Sequence, residues 1–237
     1  MQPQIKCLKQ KRLRDPTDEV ALPLTFVTQA FCLIFAFTLC YVNYTCCVNG
    51  DFICTTEKFP TVSDLMGKSP YDKIYCLLMT TYAALKQANF RAHYLRLSGI
   101  TSDSTNTALL CIGLSSCISG PLIAYFDRYS DVHTHSIVVV FFVIAEVLYF
   151  FIYSGILNNH PLKFIGCEGQ IQTLNIMKYI TLAIGGISIY AKITGQSIGG
   201  YSAMIELIVF CISMGVYATL VKISPYVSIV VPEKKQH

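Results

Sequence analysis

The sequence predicts an all-α fold, a six-helix transmembrane bundle with both termini in the cytoplasm. Three observations predict it: apolar runs of membrane-spanning length, a low charged fraction, and a one-sided distribution of lysine and arginine. Leu22–Val42 is 21 residues without a charge, Thr107–Phe126 is 20, and Ile137–Ile156 is 20 with Glu146 as its sole charge. A helix of about 20 residues crosses the ~30 Å hydrocarbon core. Hydrophobic residues make up 53% of the chain and charged residues 14%, against ~25% charged in a soluble domain. One bundle uses the 237 residues, so no separate soluble catalytic domain is expected.

Three further runs are weaker. Met204–Leu220 carries only Glu206, near its start. Leu174–Ile193 is interrupted by Lys178 and Lys192, with 13 residues between them. That is roughly 20 Å of helix, and both lysines are expected to snorkel to opposite interfaces. Ile74–Leu85 is followed directly by Lys86. Hydropathy alone leaves four or six spans open.

Short cytoplasmic loops carry an excess of Lys and Arg, and this decides the count. Lys6, Lys9, Lys11, Arg12 and Arg14 precede the first span, and Lys222, Lys234 and Lys235 follow the last. Cytoplasmic ends require an even number of spans. Six spans put 13 basic residues inside and 5 outside, whereas four spans put 9 on each side. The expected division is a basic cytoplasmic tail over 1–21, a membrane domain over 22–222 with a first outer loop over 46–72, and a cytoplasmic tail over 223–237. The first span is read as retained, since it is too long for a signal-peptide core. The basic run before it orients the chain and faces anionic lipid; no nucleic-acid partner is expected. The expected partners are membrane lipids and other membrane proteins.

The 11 cysteines show no metal spacing. Those inside apolar runs are read as packing residues. Cys46, Cys47 and Cys54 fall at or beyond the outer end of the first span, where an oxidising compartment would allow one disulfide among them. Asn43-Tyr44-Thr45 fits a glycosylation sequon but lies too near the bilayer to be modified.

No metal, cofactor or catalytic motif is found: no H-E-x-x-H, no G-x-S-x-G and no phosphate-binding glycine loop. Gly113, Ser116 and Gly120 read as a small-residue helix contact. In the first outer loop, Pro60, Ser63 and Asp64 mark a rigid turn, because proline fixes its own φ and Ser and Asp close turns. In the six-span topology Asp64, His133 and Glu206 reach the same outer face and form a candidate polar site. The simpler reading gives each a capping or helix-terminus role. Glu146 lies deeper, where a carboxylate either pairs within the bundle or stays protonated.

Several of these segments resemble the six-span superfamily of DRAM-type autophagy modulators and post-GPI-attachment factors. Phe59-Pro60-Thr61-Val62-Ser63-Asp64 looks like its outer-loop motif P-x-[IV]-S-D. Ile112–Gly120 looks like its Gly- and Ser-rich third span. Val132-His133 opens the fourth span, and Ser202–Glu206 resembles the start of its sixth. The chain has Leu207 where the DRAM pattern often has Trp, and it contains no Trp. The resemblance implies a non-enzymatic protein of lysosomal or other endomembranes that modulates autophagy by lipid or partner binding. The same superfamily implies two alternatives: GPI-anchor lipid maturation in the ER or Golgi, with Asp64, His133 and Glu206 as its candidate residues, and a plasma-membrane scaffold for phosphoinositide kinase recruitment through the basic tails.

Overall fold

A computed structural model describes residues 16–55, 60–161, 164 and 168–194, with side chains from Phe26 onward except at 188 and 191–193. The described residues are helical and contain no strand. In chain order the helices are α1 (Pro16–Val48), α2 (Val62–Met66), α3 (Tyr71–Leu97), α4 (Asp103–Tyr125), α5 (Val132–Asn159) and α6 (Glu168–Thr194). Three of them, in the segments Phe26–Val48, Asp103–Tyr125 and Val132–Asn159, are long and apolar enough to cross a membrane. The sixth expected span, Met204–Leu220, and its Glu206 lie outside the described residues.

Helix boundaries follow local chemistry. Gly99, at φ 77°, takes the left-handed conformation that turns the chain between α3 and α4. Ser102 then caps α4, its Oγ accepting from the Thr105 N–H at 3.2 Å. Asp131 caps α5 in the same way, its Oδ1 accepting from the Thr134 N–H at 3.0 Å. Thr61 and Asp64 form a capping box that starts α2.

α4 packs between α3 and α5, α1 lies against α3, and α6 lies against α5. Gly113, Ser116 and Gly120 are buried on the face of α4 that makes these contacts. A Cβ on Gly113 would sit 2.7 Å from the Phe90 ring, and one on Gly120 would sit between Met79 and Phe142. The surface is apolar: Phe26, Phe37, Ile118, Phe141 and Tyr190 are all more than half exposed. Buried polar groups and exposed large apolar side chains suit a lipid surround, and the fold is that of a membrane protein.

Two lysines are not where the sequence reading puts them. Lys86 does not follow a short second span as a flanking charge. It sits inside α3, which continues unbroken to Leu97, and it is only 1% exposed. Lys178 does not snorkel to an interface; it is buried and donates to Ser154 Oγ on α5 at 3.1 Å. The physical reason is the same in both cases. Each ammonium finds partners across a helix contact, so the helix carries it inward instead of ending before it.

A disulfide joins Cys47 at the end of α1 to Cys54, while Cys46 stays a buried free thiol. Closing so short a loop contributes about 2–3 kcal/mol. The Cys47→Ser variant is expected to lose that share of stability, and reduction should leave Cys47→Ser unchanged while weakening the wild type. Equal sensitivity of both to reductant would argue against this pairing. Asn43 is 4% exposed, and its Nδ2 donates to Leu39 O at 2.9 Å. The atom a glycan would need is committed inside the helix contact. No mobility shift on glycosidase treatment is expected at this sequon.

Candidate functional site

Two polar assemblies stand out. The first caps one end of the bundle, where α1 ends, α3 begins, and α4 turns into α5. Asp64 uses both carboxylate oxygens there. Oδ2 accepts from the Thr61 backbone N–H at 2.9 Å, and Oδ1 accepts from Arg128 Nη1 at 3.0 Å. Arg128 belongs to the α4–α5 loop, so this pair fastens α2 across the end of the bundle. Gly67 completes the dock, since a Cβ there would fall 2.4 Å from the Tyr129 ring. Pro60 and Ser63 are buried beneath the same turn. On the other flank Tyr71 donates to Asp51 Oδ2 at 2.6 Å, and Lys68 bonds the Asp51 backbone carbonyl.

The structure brings Asp64 and His133 to the same end but does not join them. His133 is exposed in the first turn of α5, with no hydrogen bond or ion pair to Asp64. Its neighbour His135 is the buried one, and its Nδ1 donates to Phe126 O at 2.7 Å. Glu206 lies outside the described residues. Among the described residues no cluster of His, Cys, Asp and Glu could hold a metal ion.

The α4–α5 loop is built on Asp127. The Ser130 and Tyr129 backbone N–H groups both donate to its Oδ1 at 2.8 Å. Hydrogen bonding from Ser130 holds this carboxyl below its ordinary value of 3.8, against a smaller opposing effect of desolvation. The folded pKa is depressed, so the loop's stabilisation is present above pH 3.8 and is lost only as pH falls through the lower folded value. Wild type is expected to keep this loop docked at pH 4.5, as read by resistance to proteolysis at Arg128. Asp127→Asn should be cut faster already at pH 7.

The second assembly lies inside the bundle. Lys86, Asn89, His93 and Arg96 recur at helical spacing along one face of α3, and all are buried. Glu146, Tyr149 and Tyr153 recur in the same way along α5, also buried. Lys86 pairs with Glu146, and its ammonium lies 4.8 Å from the centre of the Tyr82 ring and 4.9 Å from that of Phe142. Both partners are 1% exposed. Two turns along, or about 10 Å, His93 Nδ1 lies 2.6 Å from Tyr149 Oη, and its ring stacks on Tyr153 at 4.7 Å. Asn89 reaches the other way, to Thr28 on α1 at 3.2 Å.

Sequence reasoning placed Glu146 correctly in the interior but missed its partner. The signal was available: Lys86, Asn89, His93 and Arg96 are spaced three, four and three residues apart, as a single helix face requires. Reading Lys86 as the end of a span concealed it. No family model, curated protein or solved structure matches the chain.

Proposed function

We propose that this chain is a six-span endomembrane protein of DRAM type, which modulates autophagy or lysosomal membrane function by binding lipid or membrane proteins at its outer end. The six spans are α1, α3, α4, α5, α6 and Met204–Leu220, with both termini cytoplasmic. Moving Lys86, Arg96 and Lys178 from the flanks into the bundle leaves 10 inner basic residues against 5 outer ones, so the charge bias still favours this orientation. A Cys47–Cys54 disulfide at the α2 end fits a lumenal or exterior face.

The observation that carries the reading is the use of Asp64. The motif behind the resemblance forms a capped turn, clamped to the α4–α5 loop by Arg128. A carboxylate held by a backbone N–H and a guanidinium positions a surface for recognition. It is poorly placed to act as a general base, which must reach a substrate proton.

The test is the compartment of a tagged copy expressed near native level, combined with autophagic flux in a deletion strain. Lysosomal or related endomembrane residence is expected, with altered flux that an Asp64→Ala, His133→Ala, Glu206→Ala triple variant still restores in part. ER or Golgi residence would overturn the reading in favour of GPI-anchor maturation, provided deletion also removes GPI-anchored proteins from the cell surface and the triple variant fails to return them.

A further inference from the structure

α6 changes character at Lys178. Its opening turns carry Glu168, Gln170, Gln172, Thr173 and Asn175, and the next charge after Lys178 is Lys192. Lys178 therefore stands where polar turns give way to apolar ones, at the end of the bundle opposite the Asp64 clamp. It is 8% exposed, and its Nζ donates to Ser154 Oγ at 3.1 Å. That hydroxyl gives its own proton to the Phe151 carbonyl, also at 3.1 Å. The Phe151 and Tyr179 rings flank the ammonium, which lies 5.3 and 4.9 Å from their centres. Among the described residues no carboxylate pairs with it: Glu146 is engaged by Lys86, and Glu168 is exposed about 15 Å away along the helix. Thr181, one turn on and on the same buried face of α6, is 3% exposed, and its Oγ1 has no hydrogen-bond partner among the described residues. One turn the other way, toward the end of the bundle, Asn158 and Asn175 exchange amide hydrogen bonds at 3.1 and 3.2 Å in an exposed position. Donors outnumber acceptors along this contact.

We propose that this end of the α5–α6 contact binds the phosphate of an anionic phospholipid. The inference rests on α6 being a span, as proposed above, and places a lipid at the end opposite the outer-loop surface. A buried cation in a membrane helix calls for a countercharge. The bilayer supplies one at this depth, since the polar opening turns of α6 lie among the headgroups. Helix side chains lean toward the helix N-terminus, which is the headgroup end of α6, so Lys178 leans toward Asn175 and Asn158. Its four-carbon stem is flexible, which lets the ammonium leave Ser154 and meet a phosphate oxygen beside the amide pair. Each amide keeps a second N–H beyond the one it gives its partner. One ammonium and two amides thus serve the phosphate oxygens. The acyl chains run along the exposed Ile176, Leu182 and Ile187 toward the middle of the bundle. Phosphatidylcholine offers the same phosphate but brings its own cation, and it gains less from Lys178. The site therefore selects for headgroup net charge.

The test uses the full chain in nanodiscs made of equal parts phosphatidylglycerol and phosphatidylcholine. Flotation with the discs scores the membrane reading separately. Two photoactivatable probes are compared, a phosphatidylglycerol and a phosphatidylcholine with the same diazirine-bearing acyl chain, and the labelled peptides are mapped. Over residues 174–187 the phosphatidylglycerol label should exceed the phosphatidylcholine label by about five-fold, as expected for one lysine near anionic lipid. Over residues 108–118 of α4, which also face lipid, the two labels should be equal. Lys178→Met should bring the α6 ratio down to that of α4. Unlabelled phosphatidylglycerol should compete, and glycerol phosphate in solution should not. Equal competition by both would assign the site to a free phosphate and overturn the lipid. A wild-type ratio that is the same on α6 and α4 would mean that Lys178 finds its countercharge within the protein, and would overturn the proposal. A high ratio that survives Lys178→Met would do the same. No label from either probe over 174–187 would remove α6 as a span, and the proposal with it. If Lys178→Met does not incorporate, the wild-type comparison of α6 with α4 and the glycerol phosphate competition still decide the matter.

Discussion

Glu146→Ala is expected to destabilise the bundle by about 3–5 kcal/mol, the cost of leaving one partner of a buried ion pair without the other. Lys86 is 1% exposed and sits among the Tyr82, Phe90 and Phe142 rings, so the stranded ammonium has no route to water short of moving α3. Replacing both residues by Met should cost far less, since an apolar pair of similar volume needs no countercharge. The coupling between the two sites, measured by a double-mutant cycle in reversible denaturation from mixed micelles, should therefore exceed about 2 kcal/mol. Additive single-site effects would mean that Lys86 and Glu146 do not depend on one another. An exposed lysine would show the same additivity, because surface ion pairs contribute only about 0–1 kcal/mol. The size of the coupling thus tests burial and pairing together.

What the sequence disclosed follows from how each feature is encoded. The three apolar helices are legible because lipid imposes a local rule: enough consecutive uncharged residues to cross the core. The rule found α1, α4 and α5, and it gave their extents conservatively. The structure carries α1 on to Val48 and starts α5 at Val132, since the caps lie beyond the apolar stretch. α3 and α6 defeat the same rule. Their polar residues are satisfied by other helices, at Glu146 for Lys86 and at Ser154 for Lys178, and a partner 60 residues distant leaves no mark in a local window. The turn at Pro60–Asp64 was legible for the opposite reason, because a capping box closes within four residues. Its clamp by Arg128 was not, since that contact joins segments 64 residues apart. The candidate trio divides along the same line. Asp64 has a locally encoded cap, His133 is exposed, and Glu206 lies outside the described residues. Cys47 and Cys54 were among three candidates that spacing alone could not separate. The helix end decides between the adjacent thiols, turning Cys46 into the core and Cys47 toward the loop.

Gly113→Leu is expected to destabilise the bundle by about 1–3 kcal/mol through overpacking, with a direct effect on the buried polar side chains of α3 and α5. A Cβ at this position would lie 2.7–3.0 Å from three atoms of the Phe90 ring. A ring cannot yield as the end of a lysine or methionine would, so Phe90 must move as a body. Phe90 has little freedom to do so. It packs 4.3 Å from Tyr149 by ring centroids, and the Lys86 ammonium lies 5.6 Å from its centre. Displacing it therefore disturbs the Lys86 pocket and the Tyr149 hydroxyl that His93 engages. Gly113→Ala should show the same defect on a smaller scale. Phe90→Leu in the Gly113→Ala background should recover part of the loss, because a smaller side chain makes room for the new methyl. The double-mutant cycle between positions 90 and 113 should then give a favourable coupling of about 0.5–3 kcal/mol. Zero coupling would place the small-residue face of α4 against lipid or another partner, and would remove the reason for glycine there. A favourable coupling would establish that Gly113 serves the buried polar side chains of α3 and α5. The small residues on α4 would then be what allows side chains from α3 and α5 to meet across it, and the ion pair at Lys86 and Glu146 would depend on a glycine that touches neither charge.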